Sequence, residues 1–145
     1  MDVIADTNIW LRLADDRSVQ HPVVKQALTS LLARRARLHL VPQNIVEFWA
    51  VATRPQDVNG FGWSVERALA EVSNLRGRFP LLAENERIFQ KWSELVIAER
   101  ISGKRVHDLR LAVQLAVHNI SHLLTFNDQD FAKFGWISIL RPESL

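Results

Sequence analysis

Residues 1–10 read MDVIADTNIW, and the junction inside them decides the architecture. Val3, Ile4 and Ala5 form a short apolar run of the kind that fills a strand covered on both faces. Asp6, Thr7 and Asn8 interrupt it with three small polar side chains, and Ile9, Trp10 and Leu11 resume the apolar pattern. The spacing predicts a strand, a break, and a helix from Thr7 to Ala14. A carboxylate at such a junction has two readings. One is helix capping, since Asp, Thr and Asn all accept from the free N–H groups of a first turn. The other is a metal or phosphate site at the end of a parallel strand.

The alternation continues along the chain. Helices are expected over 21–36 (HPVVKQALTSLLARRA), 42–53 (PQNIVEFWAVAT), 64–75 (SVERALAEVSNL, with Ser64 as cap), 84–100 and 106–119 (VHDLRLAVQLAVHN). Strands are expected at 38–41 (LHLV), 79–83 (FPLLA), 121–125 (SHLLT) and 136–140 (WISIL), with a helical turn or two at 128–134. Residues 54–63 (RPQDVNGFGW) carry Pro55, Asn59, Gly60 and Gly62 and read as a loop. Strands separated by helices of this length imply right-handed crossovers. The expected fold is α/β, a parallel sheet of about five strands between helical layers, in one domain spanning 1–145. Its binding crevice should lie beyond the C-terminal ends of the strands, where Asp6 and the segment TFNDQD (125–130) both fall.

Composition sets bounds on function. The chain is 48% hydrophobic and 23% charged, ordinary for a soluble globular protein. It has no Cys, which removes disulfides and thiolate metal sites. No apolar run is long enough to cross a bilayer, and no leader pattern opens the sequence, so a cytoplasmic location is expected. The net charge is +2, but Arg34, Arg35 and Arg37, then Arg76 and Arg78, then Arg100, Lys104 and Arg105 fall in groups. Such groups suit either solvated helix ends or a surface for a polyanion.

Each remaining acid has a structural reading and a chemical one. Glu47 shares the thin polar side of its helix with Gln43, Asn44 and Arg54, opposite Ile45, Phe48, Trp49 and Ala52. Asp108 falls in the first turn of its helix, where it complements the dipole, yet it continues the apolar stripe through Ala112 and Leu115. His107 beside it is a weak ligand candidate. Asn127 and Asp130 have the spacing of a capping pair, with Asp128 between them. Taken together the acids require a sheet edge on which carboxylates converge, and like charges so placed need a cation. Hard oxygen donors without Cys or a His pair select Mg²⁺ or Mn²⁺ over Zn²⁺.

Four stretches in order, IADTNIWL (4–11), PQNIVEFWAVATRP (42–55), VHDLRLAVQLAVHN (106–119) and HLLTFNDQDFAKF (122–134), resemble the PIN-domain ribonucleases. Within that family the chain is most similar to the VapC-like toxins of bacterial toxin–antitoxin pairs, over nearly its whole length. The resemblance implies a PIN-like three-layer fold and metal-dependent hydrolysis of RNA phosphodiesters. It places Asp6, Glu47 and Asp108 in the catalytic site. Thr125, Asn127, Asp130 and Phe131 match the family's last motif, and because Asn127 stands where an acid is usual, the fourth carboxylate falls to Asp130, with Asp128 as a spare. Asp6, Asp108 and Asp130 are thus the expected Mg²⁺ or Mn²⁺ ligands, while Glu47 either binds through water or orients the attacking water. Thr7, Asn8, Thr125 and Asn127 are expected to orient the site or the substrate. A cognate antitoxin and a homodimer are the partners that the resemblance implies.

Setting the four acids aside raises the formal charge from +2 to +6, enough for the rest of the surface to attract RNA. Trp10 and Trp49 read as core or interface residues, Trp49 and Trp92 as candidate contact surfaces, and Trp63 as the one indole placed to meet a substrate or partner. Two other function classes compete. A PIN-fold module that binds RNA or protein without turnover would keep the same acids. A receiver-like domain would need a Lys after the last strand, where this chain has Arg141 and Pro142.

Overall fold

A computed structural model describes residues 1–145. Strand β1 (Asp2–Ala5) is followed by α1 (Thr7–Ala14) and α2 (His21–Ala33), then β2 (Arg37–His39) and α3 (Pro42–Thr53). Helices α4 (Val65–Arg78), α5 (Glu86–Ala98) and α6 (Arg105–Val117) come next. Strand β3 (His122–Leu124), the short α7 (Asp128–Phe131) and β4 (Ser138–Leu140) complete the chain. The four strands pair in the order β2-β1-β3-β4, all parallel.

Val3, Ile4 and Ala5 are fully buried because β1 is central and helices cover both its faces. Alternation along the strand sends Val3 and Ala5 into one core and Ile4 into the other. The first core is closed by α1 to α4 through Trp10, Leu31, Phe48 and Val72. The second is closed by α5 to α7 through Ile88, Leu109, Leu115 and Phe131. The result is the expected helix–sheet–helix sandwich. No helix is long and apolar enough to cross a membrane.

Two expectations need correction. The sheet has four strands, because the segment 79–83 contributes one parallel bridge, Leu40 to Leu81, and no strand. Leu40 N donates to Pro80 O and Leu82 N to Leu40 O, but Pro80 has no N–H with which to extend the ladder. Trp63 is buried, 7% exposed, and packs on Phe48 and Phe61 with the Arg67 guanidinium over its ring, so it does not present itself to a partner. Loop 54–63 folds back on α3, with Phe61 N donating to Val51 O and Trp63 N to Ala52 O, and this carries the indole inward.

Candidate active site

The parallel register ends with Asp6 and Thr125 side by side. Asp6 N donates to Leu124 O at 2.9 Å, and Thr125 N donates to Leu140 O at 3.1 Å. Both readings of Asp6 hold at once. Its Oδ1 caps α1 by accepting from Thr7 N at 2.8 Å, while its Oδ2 accepts from Thr125 Oγ1 at 2.8 Å. Thr125 is fully buried and also accepts from Asn127 N at 2.9 Å, so the loop after β3 grips the same hydroxyl that grips Asp6.

Helix α3 brings its polar side to this edge, because Val46 and Ala50 take the solvent side instead. Thr7 Oγ1 donates to Glu47 Oε1 at 2.7 Å. Asn44, 1% exposed, receives Val41 N on its Oδ1 and gives its amide N–H groups to Ala5 O and Thr7 Oγ1. This one amide closes the first turn of α3 and ties it to the end of β1. Gln43 Nε2 donates to His107 O at 2.8 Å and lies 3.5 Å from Glu47 Oε2, which ties α3 to the start of α6. Gln43 and Asn44 thus join the site as positioning residues. Their signal in the sequence was their place one turn before Glu47 on the same side of the helix.

Electrostatics shows which acids face one another. Burial pushes the Asp6 carboxyl up to about 6, and the charges of Glu47 and Asp108 push in the same direction against its two hydrogen bonds. Asp108 is also pushed up, first by burial and then by Asp130 and Glu47, with Arg105 and His107 opposing. Asp6, Glu47, Asp108 and Asp130 therefore share one electrostatic environment, and none of them is in an ion pair. Asp128 points elsewhere, 3.5 Å from Arg141 Nη1. Asn127 is exposed and takes part through its backbone N–H. Asn8 faces a separate cavity beside α1.

The donor set suits a hard divalent cation: oxygen ligands only, mutually repelling, with Asp6 half-buried at their centre of charge. As the side chains stand, no group of three or more His, Asp or Glu is drawn together into a cage for an ion. Asp6 is held by two hydrogen bonds and feels the charges of Glu47 and Asp108, and Asp108 feels that of Asp130.

Among the tryptophans, Trp10 is wholly buried against Phe79. Trp92 donates its Nε1–H to Val106 O and braces α5 against α6. Trp49 is half-buried and lines a groove of about 660 Å³ between α3 and α4, with Pro42, Ile45, Val46, Leu69 and Leu81.

The profile of the PIN domain family matches residues 3–137. No curated protein matches the chain by sequence. Among solved structures the chain resembles VapBC2 from Rickettsia felis, bound to a DNA fragment from its promoter, at 15% identity and TM-score 0.71, covering 97% of this chain and 98% of that one. It resembles VapBC-1 from nontypeable Haemophilus influenzae at 22% identity and TM-score 0.68, covering 98% of each chain. Mycobacterium tuberculosis VapC20, described as a Sarcin-Ricin loop cleaving toxin, is similar at 12% identity and TM-score 0.66, covering 90% of this chain and 93% of that one.

Proposed function

The chain belongs to the PIN domain family, and from that premise we propose that it is a divalent-metal-dependent endoribonuclease acting as the toxin of a toxin–antitoxin pair. The observation that carries this reading is the set of four carboxylates at one sheet edge, each raised or confronted by another's charge and none neutralised by an ion pair. Natural folds pair or expel such charges unless a cation completes them. Asp6, Asp108 and Asp130 would hold Mg²⁺ or Mn²⁺, with Glu47 at the rim. The bound ion supplies charge neutralisation, an activated water and polarisation of the phosphoryl oxygens.

The chain's own residues supply orientation. Thr125 fixes one Asp6 oxygen and the Thr7 amide fixes the other, so the carboxylate presents a single face to the crevice. The Thr7 hydroxyl aims Glu47, and Asn44 aims Thr7. Glu47, half-exposed, held firmly through Oε1 and only at 3.5 Å through Oε2, would accept a proton from water near the scissile phosphate. An antitoxin covering the acidic edge and a homodimer are the partners this reading implies.

One observation favours a second reading, a PIN-fold module that binds RNA without turnover: the carboxylates do not already form an ion cage. Incubating purified protein with structured RNA in Mg²⁺, in Mn²⁺ and in EDTA separates the two. Cleavage that requires either cation and stops in EDTA is expected. Undiminished cleavage in excess EDTA sinks the metal mechanism, and RNA binding without cleavage in either cation establishes the module.

A further inference from the structure

Along α1 and α3, the helix that Asp6 caps and the helix that carries Glu47, lies a cavity of opposite character. It measures about 390 Å³ and is lined by Asn8, Leu11, Arg12, Val51, Arg54, Asn59, Gly60 and Phe61, with no acid in its wall. Asn8 stands two residues beyond Asp6, and Arg12 lies one turn further along the same face of α1, about 6 Å up the axis. Neither Arg12 nor Arg54 is in an ion pair. The Arg12 Nε is buried with no hydrogen-bond partner, and Arg54 spends one Nη2–H on Asn59 O at 3.3 Å. A guanidinium has five donors and cannot shed its charge, so two of them facing one cavity without an acceptor of charge form an incomplete arrangement.

The far wall is built to stay in place. Gly60 N donates to Pro55 O and Gly62 N to Arg54 O, which folds 55–62 into a tight loop over the end of α3. Asn59 adopts a left-handed conformation, φ 65°, that Asn tolerates better than most side chains. A Cβ on Gly60 would stand 1.9 Å from Arg54 O, so only glycine lets the loop close against Arg54. The cationic cavity is thus a formed concavity, with Arg12 half-buried and Arg54 exposed at its wall.

We propose that this cavity is a backbone-phosphate subsite: Arg12 and Arg54, assisted by Asn8, bind an RNA phosphodiester adjacent to the one presented to Asp6, Glu47, Asp108 and Asp130. The proposal rests on the nucleic-acid reading above and resolves its electrostatic difficulty, since an acidic centre repels RNA and needs a cationic anchor beside it. Arginine forks match phosphate oxygens in pairs, and Asn8 adds a neutral donor on the side nearer the acids. Arg12 and Arg54 are positioning residues under this assignment. Their loss weakens substrate binding and leaves the turnover of bound substrate largely intact.

The test is fluorescence anisotropy of a labelled single-stranded RNA oligonucleotide with the full chain in EDTA, across roughly 50–200 mM salt, where each phosphate contact adds about 0.7 to the slope of log affinity against log salt. Arg12→Gln and Arg54→Gln should each weaken binding roughly tenfold and lower that slope by about 0.7. Arg12→Lys should keep the slope while losing part of the affinity, because the charge stays and the fork goes. Arg34→Gln serves as control, since Arg34 precedes β2 at the opposite edge of the sheet. Arg54 is exposed, so its variant remains informative if Arg12→Gln misfolds. In cleavage assays KM should rise with kcat nearly unchanged. Equal slopes and affinities in folded parent and Arg54→Gln overturn the subsite. So does a loss of affinity for polyglutamate peptide with RNA affinity intact, which would make the cavity a seat for a protein's acidic segment. Parent that binds RNA with the predicted slope but never cuts it leaves the subsite standing and refutes the nuclease reading alone.

Discussion

Two aspartates lie at opposite ends of the same central strand, and their surroundings are opposite. At the start of β1, Asp2 accepts from His39 Nε2 on Oδ1 and from Arg37 Nη2 on Oδ2, both at 2.8 Å across the β1–β2 register. The His39 hydrogen bond holds the Asp2 carboxyl below its usual range against desolvation, the next largest influence, and the bond and charge of Arg37 add to it. Just past the end of β1, Asp6 meets two threonines, Glu47 and Asp108, and burial drives it up to about 6. The fold neutralises a carboxylate at the start of the strand and leaves one without an ion pair at the strands' C-terminal ends. The contrast teaches that acidity alone does not distinguish the two ends; the lack of a cationic side-chain partner at Asp6 does. Everything that separates a metal centre from an assortment of helix caps lies in that asymmetry.

The largest effect should come from removing one charge at either end. Asp6→Asn keeps the shape and the N-cap, since Asn caps about as well as Asp. Under the proposed mechanism its cleavage rate should fall by more than the roughly 10–100-fold that changing an outer-shell partner costs, whereas Asp2→Asn should cleave as the parent does. The same pair can be read without activity. A divalent cation stabilises only the form that binds it, so about 10 mM Mg²⁺ should raise the melting temperature of the parent and of Asp2→Asn by a few degrees. Asp6→Asn should lose most of that rise. Equal shifts in all three proteins would return Asp6 to the role of a cap.

Thr125→Val comes next. The valine fills the space of the fully buried threonine but offers no hydroxyl, leaving Asp6 Oδ2 and Asn127 N without their shared partner. An approximately 10–100-fold fall in cleavage is expected, together with a loss of stability of about 1–3 kcal/mol from the unsatisfied groups. Thr125→Ser should recover most of the activity. A serine variant no better than valine would mean that packing, and not the hydroxyl, is what Thr125 contributes.

Much of this was legible before any coordinates. The strand–break–helix reading of residues 1–10, the parallel alternation and the meeting of Asp6 with the TFNDQD segment past the strands' C-terminal ends follow from side-chain period and local chemistry. Four features were hidden for physical reasons. Periodicity shows that Glu47 lies on the polar side of α3 but not which side faces the sheet; Asn44, buried and bonded to Ala5 O, turns that side inward. Trp63 follows a glycine-rich loop and looked available, but the loop's bonds to Val51 and Ala52 return it to the core. FPLLA has strand composition, yet only a single bridge forms where Pro80 lacks its N–H. Arg12 carried no signal in one dimension, because its partner in the cavity is forty-two positions away at Arg54.

A smaller effect separates the two aspartates by sign in metal-free buffer. Asp6 has a folded-state pKa of about 6 against 3.8 unfolded, so between those values the folded state holds the extra proton. Stability then falls as pH rises through that window, by an amount on the order of 3 kcal/mol for a shift of this size. Asp108 is shifted in the same direction and steepens the fall. Urea midpoints at pH 4.5 and 7 in EDTA should drop for the parent and drop less for Asp6→Asn. A parent more stable at pH 7 than at 4.5 in EDTA would mean that a cation already within the protein compensates the cluster.

The smallest effect belongs to Asp2, and its sign is the reverse. A carboxyl held below its usual pKa stabilises the folded form above about pH 4, and that contribution disappears as pH falls below the unfolded value of 3.8. Its partner Arg37 is mostly exposed and Asp2 is partly so, at 73% and 31% of side-chain surface, so the pair is worth no more than about 1 kcal/mol. Asp2→Asn should therefore lower the urea midpoint slightly at pH 7, less so in high salt, and leave the fall between pH 4.5 and 7 as it is in the parent. The informative protein is the double variant. With Asp2 and Asp6 outside each other's contact network, their effects should add to within about 0.5 kcal/mol. Non-additivity well beyond that would mean that β1 transmits charge from one end of the sheet to the other, and the two ends could no longer be treated as a neutralised structural pair and a separate, proposed metal site.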